Sequence, residues 1–144
     1  MKEYKQLNLH MPEEGIIGDC FRTAIGCILD LEPELVPHFA ELGGWNSPDS
    51  TVCRRLCNEW LEQFNLKYCE YPIECSLTGL GIYLDCYYKD VYIHIGCNSK
   101  HGGHSVVMKN DDYIWDPSID NSGCVGPMRD GYFWIGLLVQ HVKE

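Results

Sequence analysis

Two stretches of this 144-residue chain carry side chains able to do covalent chemistry. The first is "GIIGDCFRTAIGCILDL", residues 15 to 31, in which Cys20 follows Asp19 at the predicted start of a helix. A helix N-terminus presents unpaired N–H groups and the positive end of the dipole, and both stabilise a thiolate. The second is "HGGHSVVMKNDDYIWDPS", residues 101 to 118, in which His104 opens one apolar run and Asp116 closes the next. A cysteine nucleophile needs a base, and the base needs a third group to fix its tautomer; His104 and Asp116 are the right types for those two roles. Each residue also has a plainer reading. Cys20 fits an inert buried thiol, His104 a surface histidine beside glycines, and Asp116 the start of an Asp-Pro turn.

The pairing of the two apolar runs decides between these readings. With a regular two-residue turn at Asn110-Asp111, Asp116 pairs with Ser105 and faces away from His104. With a three-residue connection, or a bulge, Asp116 pairs with Val106 and becomes a diagonal neighbour of His104, at roughly 7 to 8 Å between Cα atoms. A joint role for the two residues therefore requires an odd-length connection or a bulge.

The elements that must position these residues are legible in outline. Residues up to Gly18 have no lasting periodicity and read as an extended arm. A helix capped by Asp19 runs from Cys20 to about Asp30 or Leu31, with Phe21, Ala24, Ile25, Ile28 and Leu29 at helical spacing, and stops because Pro33 restricts Glu32. "PELVPHF" reads as a turn or a one-turn helix and "ELGGWNSPDS" as a loop. A second helix, capped by Asp49 or Ser50, runs to about Asn65 and buries a stripe from Val52 to Phe64, which makes Cys53 and Cys57 packing residues. "LKYCEY" reads as a strand, and residues 73 to 90 fit either a short helix or a loop. "VYIHIGC", "HSVVMK", "YIWD" and "YFWIGLLVQH" follow as β-rich runs. Helices first and strands afterwards predict one α+β domain over residues 1–144, with N-terminal helices packed on a C-terminal antiparallel sheet.

Composition narrows the function classes. Eleven Lys and Arg stand against 21 Asp and Glu, a formal net charge of −10, and only Arg54 and Arg55 are adjacent cations. Nucleic-acid binding wants the opposite sign, so no nucleic-acid partner is expected. No leader-like apolar segment or membrane-length run is present in the sequence, so a soluble, cytoplasmic protein is expected. In that compartment an odd count of nine irregularly spaced cysteines reads as free thiols. A metal site using His94, His101 and His104, with Cys97 or Asp116, has suitable residue types but no recognised zinc spacing, and His94 falls on the opposite strand face from Cys97. No cofactor is implied.

The pieces "GDCFRTAIGCILDLEPELVPHF", "GGHSVVM" and "IWDPS" resemble the papain-like cysteine peptidase superfamily, in particular its bacteriocin-leader-peptidase-like branch and small phage and bacterial cysteine hydrolases. The resemblance runs in outline from Gln6 to about residue 120. It implies a papain-like fold, with Cys20 as nucleophile, His104 as general base and acid, and Asp116 as the orienting carboxylate. Such peptidases commonly place an oxyanion-hole Gln six residues before the Cys, where this chain has Glu14, which has no proton to donate when ionised. Gln6 is the better donor, with the Cys20 backbone N–H as the second. The implied reaction is cleavage of a peptide or related amide in a peptide or protein substrate, by a peptidase, deamidase, deconjugase or acyl transferase. Gly103 and Trp45 are candidates for the walls of the substrate groove. The competing class is a non-catalytic protein-binding module on the same fold, for example a phage or host-interaction factor.

Overall fold

The computed structural model describes residues 1–44 and 51–141. The first long helix, α1 (Cys20–Leu29), starts and ends close to where its apolar spacing predicts. Asp30 closes it in the left-handed conformation, φ 61°, with its N–H turned back to the carbonyls of Cys27 and Gly26. The start differs from expectation in one respect: the Asp19 side chain makes no capping bond to α1. Its carboxylate accepts instead from the backbone N–H of Leu7 (3.2 Å) and Asn8 (2.9 Å) and from Arg22 Nε (2.9 Å). Asp19 therefore ties the N-terminal arm to α1 rather than capping the helix.

Downstream, the short helix α2 (Phe39–Leu42) occupies part of the predicted loop; His38 precedes it and accepts from the Glu41 N–H through Nδ1. Helix α3 (Thr51–Leu61) buries Cys57 and Leu61 of its predicted stripe, then tightens into a 3₁₀ turn, Glu62–Phe64, which leaves Phe64 exposed and is ended by Asn65 at φ 55°. Its predicted cap, Asp49 or Ser50, lies outside the described residues. The ambiguous stretch contains a helix, α4 (Leu77–Tyr87), capped by Ser76, whose side chain accepts from Gly79 N–H.

Five strands form one antiparallel sheet: β1 (Leu66–Ile73), β2 (Tyr92–Ser99), β3 (Gly102–Lys109), β4 (Asp112–Trp115) and β5 (Phe133–Gln140), in the order β1-β5-β2-β3-β4. Alternation gives the sheet two apolar faces. On one, Ile93, Ile95, Cys97, Val106, Met108 and Ile135 pack with Leu80 and Leu84 of α4. On the other, Tyr68 packs with Ile25 of α1, Phe39 of α2, and Cys57 and Leu61 of α3. The α+β class and the antiparallel sheet thus match expectation, with the qualification that α4 adds a helix after the first strand and covers the second face. Among the described residues no helix is long and apolar enough to cross a membrane.

Candidate active site

Strands β3 and β4 are joined by the two-residue turn Asn110-Asp111, with Lys109 opposite Asp112 and Met108 opposite Tyr113. The register then shifts: Val107 lies opposite Trp115, so Ile114 is an extra residue in β4. That bulge has the same effect on phase as an odd-length loop. It brings Asp116 onto the face of His104, and Asp116 Oδ1 meets His104 Nε2 at 2.6 Å.

Both side chains are buried, His104 and Asp116 each retaining 8% of their surface. The carboxylate is held at two further points by backbone: Ser118 N–H donates to Oδ1 and Gly123 N–H to Oδ2, each at 2.9 Å. Burial alone would raise the Asp116 pKa, but the His104 contact and these two N–H donors outweigh it and bring it down to about 2. For His104, burial opposes the charged imidazolium, yet the hydrogen bond its ring donates to Asp116, its interaction with Cys20 and the charges of both prevail, and its pKa rises to about 9. Asp116 occupies Nε2, which leaves Nδ1 to the Cys20 thiol.

Cys20 is the first residue of α1 and is half-buried. It reaches His104 because the arm straps α1 to the segment after β4. Lys2 N–H bonds to Cys27 carbonyl (3.2 Å), Gln6 N–H to Pro117 carbonyl (2.8 Å), Trp115 Nε1 to Tyr4 carbonyl (2.7 Å), and Lys5 Nζ to the carbonyls of Asp116 (2.9 Å) and Ser118 (2.7 Å). Four other thiols are less available. Burial pushes Cys53 up to about 11 and Cys57 up to about 12, and raises Cys27 and Cys75 as well.

Two cavities meet at Cys20, His104 and Gly103. One, about 530 Å³, runs along the arm past Gln6, Met11 and Ser99. The other, about 440 Å³, lies on the far side, between Phe21, Tyr68, His94 and Trp134. Gln6 retains 6% exposure and donates from Nε2 to the Asn8 carbonyl at 2.5 Å, while its Oε1 is buried without a partner. The amide orientation is chemically set, since the reverse would point two oxygens at each other. Nε2 retains a second N–H, and the Cys20 backbone N–H, at the first position of α1, has no partner within its own helix. Glu14 is exposed at the end of the 3₁₀ turn Pro12–Glu14. Trp45 lies outside the described residues.

The histidines considered for metal have other partners. His94 bonds through Nδ1 to Tyr68 OH (2.9 Å) and through Nε2 to Ser105 Oγ (2.8 Å), and burial together with the charge of His104 lowers its pKa to about 3. His101 is exposed and pairs with Asp120 at 3.0 Å. Among the described residues no three His, Cys, Asp or Glu side chains converge as a metal site would need. Sequence reasoning missed the Glu70–Tyr68–His94–Ser105 chain that floors the second cavity. Its only sequence signal is one polar residue on an inward strand position, His94. No family model matches the chain, and no curated protein and no solved structure matches it.

Proposed function

We propose that this protein is a papain-like cysteine hydrolase that cleaves a peptide or related amide bond. The observation that carries the reading is His104, bonded through one nitrogen to Asp116 and partnered on its other side by Cys20, where two cavities meet. In this mechanism the Cys20 thiol passes its proton to His104 as Sγ attacks the carbonyl carbon, while Gln6 Nε2–H and the Cys20 backbone N–H take the oxyanion. The His104 imidazolium gives its proton to the leaving amine and a thioacyl intermediate remains. Neutral His104 then deprotonates a water that attacks the thioester, and the thiol is restored. Asp116 keeps the ring oriented and its charge compensated throughout. Peptidases, deamidases, deconjugases and acyl transferases share these steps, and the two cavities would select among their substrates.

Two measurements test the reading. Iodoacetamide at neutral pH, followed by peptide mass spectrometry, should modify Cys20 ahead of the exposed Cys86, and His104→Ala should remove that lead. Incubation with a complex peptide mixture should yield new termini or amide-to-acid conversions that Cys20→Ala abolishes. Equal labelling of Cys20 and Cys86, together with identical product profiles for the wild type and Cys20→Ala, would rule the hydrolase out and favour a binding module.

A further inference from the structure

Behind His104 lies a pair of thiols that the proposed reaction does not use. Cys97 is the cross-strand partner of His104 and is fully buried in β2, between β3 and β5. Beyond the end of β5, residues 122 to 126 take over as the neighbour of β2. Asn98 N–H donates to the Gly126 carbonyl (2.9 Å) and the Asn98 carbonyl accepts from Val125 N–H (2.8 Å), so two residues oppose one, as in a bulge. Cys124, the next residue, is thereby returned to the face of Cys97 and packs against the same apolar cluster. Both are free thiols, Cys97 buried and Cys124 half-buried.

We propose that Cys97 and Cys124 form a reversible disulfide under peroxide, and that closing it disturbs the backbone that holds Asp116. The proposal does not depend on the hydrolase reading. The roles follow from access and charge. Cys124 is the reachable sulfur, and its interaction with Cys97 lowers its pKa, while the same interaction and burial raise that of Cys97. Cys124 thiolate attacks hydrogen peroxide, forming a sulfenic acid and expelling hydroxide, which takes up a proton as water. The Cys97 thiol then attacks that sulfur and loses its proton, and a second water leaves; two thiols and one peroxide give one disulfide and two waters. A disulfide needs its sulfurs about 2 Å apart. Cys97 is fixed in a central strand, so the movement falls on residues 122 to 126. Gly123, which donates to Asp116 Oδ2, is adjacent to Cys124 and must move with it.

The test uses the full chain carrying Cys20→Ala, so that Cys20 does not consume oxidant. After a peroxide titration and blocking of remaining thiols with N-ethylmaleimide, tryptic fragments 90–100 and 110–129, each holding one cysteine, should appear cross-linked, and dithiothreitol should release them. Cys124→Ser should abolish the cross-link, and Cys97→Ser should leave Cys124 as a sulfenic acid trappable by dimedone. On oxidation the Gly123 amide should exchange with deuterium about tenfold faster or more, as loss of its bond to Asp116 requires. Recovery of both cysteines as maleimide adducts while other thiols oxidise would overturn the proposal. So would a mapped disulfide that leaves Gly123 exchange unchanged.

Discussion

At the scale of single residues, the charge on Asp116 does more than the hydrogen bond it accepts. Asn in its place keeps the size and can still accept from His104, but it removes the negative charge that lets a buried imidazole stay protonated. Asp116→Asn is therefore expected to drop the His104 pKa from about 9 to the ordinary 6.5 or lower, read by NMR titration of the ring. The proposed hydrolysis should accordingly fall as pH rises through about 9, where the acid that protonates the leaving amine is lost, and Asp116→Asn should move that fall to lower pH and reduce kcat ~10²-fold or more. Gln6 separates the same way. Alkylation by iodoacetamide builds no oxyanion, whereas acyl transfer does, so Gln6→Ala should lower kcat by about 10²-fold and leave the Cys20 alkylation rate within about twofold. Slowed alkylation would mean that Gln6 supports the arm beside Cys20 rather than the transition state.

At the scale of elements, one surplus residue sets the phase of the site. Ile114 has no partner in the β3–β4 ladder, and without it Asp116 would move to the opposite face from His104. Deleting Ile114 should leave the far-UV circular dichroism close to wild type while the His104 pKa falls toward 6.5 and Cys20 loses its alkylation lead. The sequence allowed this outcome without choosing it, because "MKNDDYIWDP" accommodates either register and bulges have no strong composition signal. Helices α1 and α3 were legible because their stripes repeat at 3.6 residues, whereas α4 was not, because Gly79 and Gly81 weaken its helical preference and its apolar residues spread around it. Asp19 stands at the cap position of α1 without its side chain capping it, and the sequence does not show this, since a short polar residue before a helix looks the same whether it bonds forward to the helix or back to an arm. Gly136 was invisible for another reason: its role depends on two other strands. A Cβ there would stand 2.5 Å from Tyr68 OH and 2.6 Å from His94 Nδ1, so only glycine lets β1 and β2 side chains meet across β5. Gly136→Ala is expected to cost about 1–3 kcal/mol in urea unfolding, with the Tyr68–His94 bond lost.

For the molecule as a whole, two buried histidines with opposite shifts bound the pH range of stability. His94 titrates at about 3 in the folded chain and near 6.5 when unfolded, so below 6.5 the unfolded chain binds a proton that the folded one does not. Its contribution is complete above 6.5 and is lost, at roughly 1.4 kcal/mol per pH unit, as pH falls toward 3. His104 is the reverse. Its folded pKa of about 9 lies above the unfolded value, so its contribution is complete below 6.5 and is lost at the same slope as pH rises toward 9. Asp116, at about 2 when folded against 3.8 unfolded, adds a further loss only in strong acid. The two histidines together place the stability maximum near pH 6.5, well above the sequence pI of about 4.9, because linkage follows proton uptake on unfolding rather than net charge. Urea midpoints from pH 4 to 9 should trace this dome. His94→Gln keeps an amide that can bond Tyr68 and Ser105 but does not titrate, and should flatten the acid limb alone; His104→Gln should flatten the alkaline limb and, by removing a charge that holds His94 down, also ease the acid limb. An acid limb of unchanged slope in His94→Gln would shift the acid sensitivity from His94 to the carboxylates, and the Glu70–Tyr68–His94–Ser105 chain would then tolerate an imidazolium at its centre.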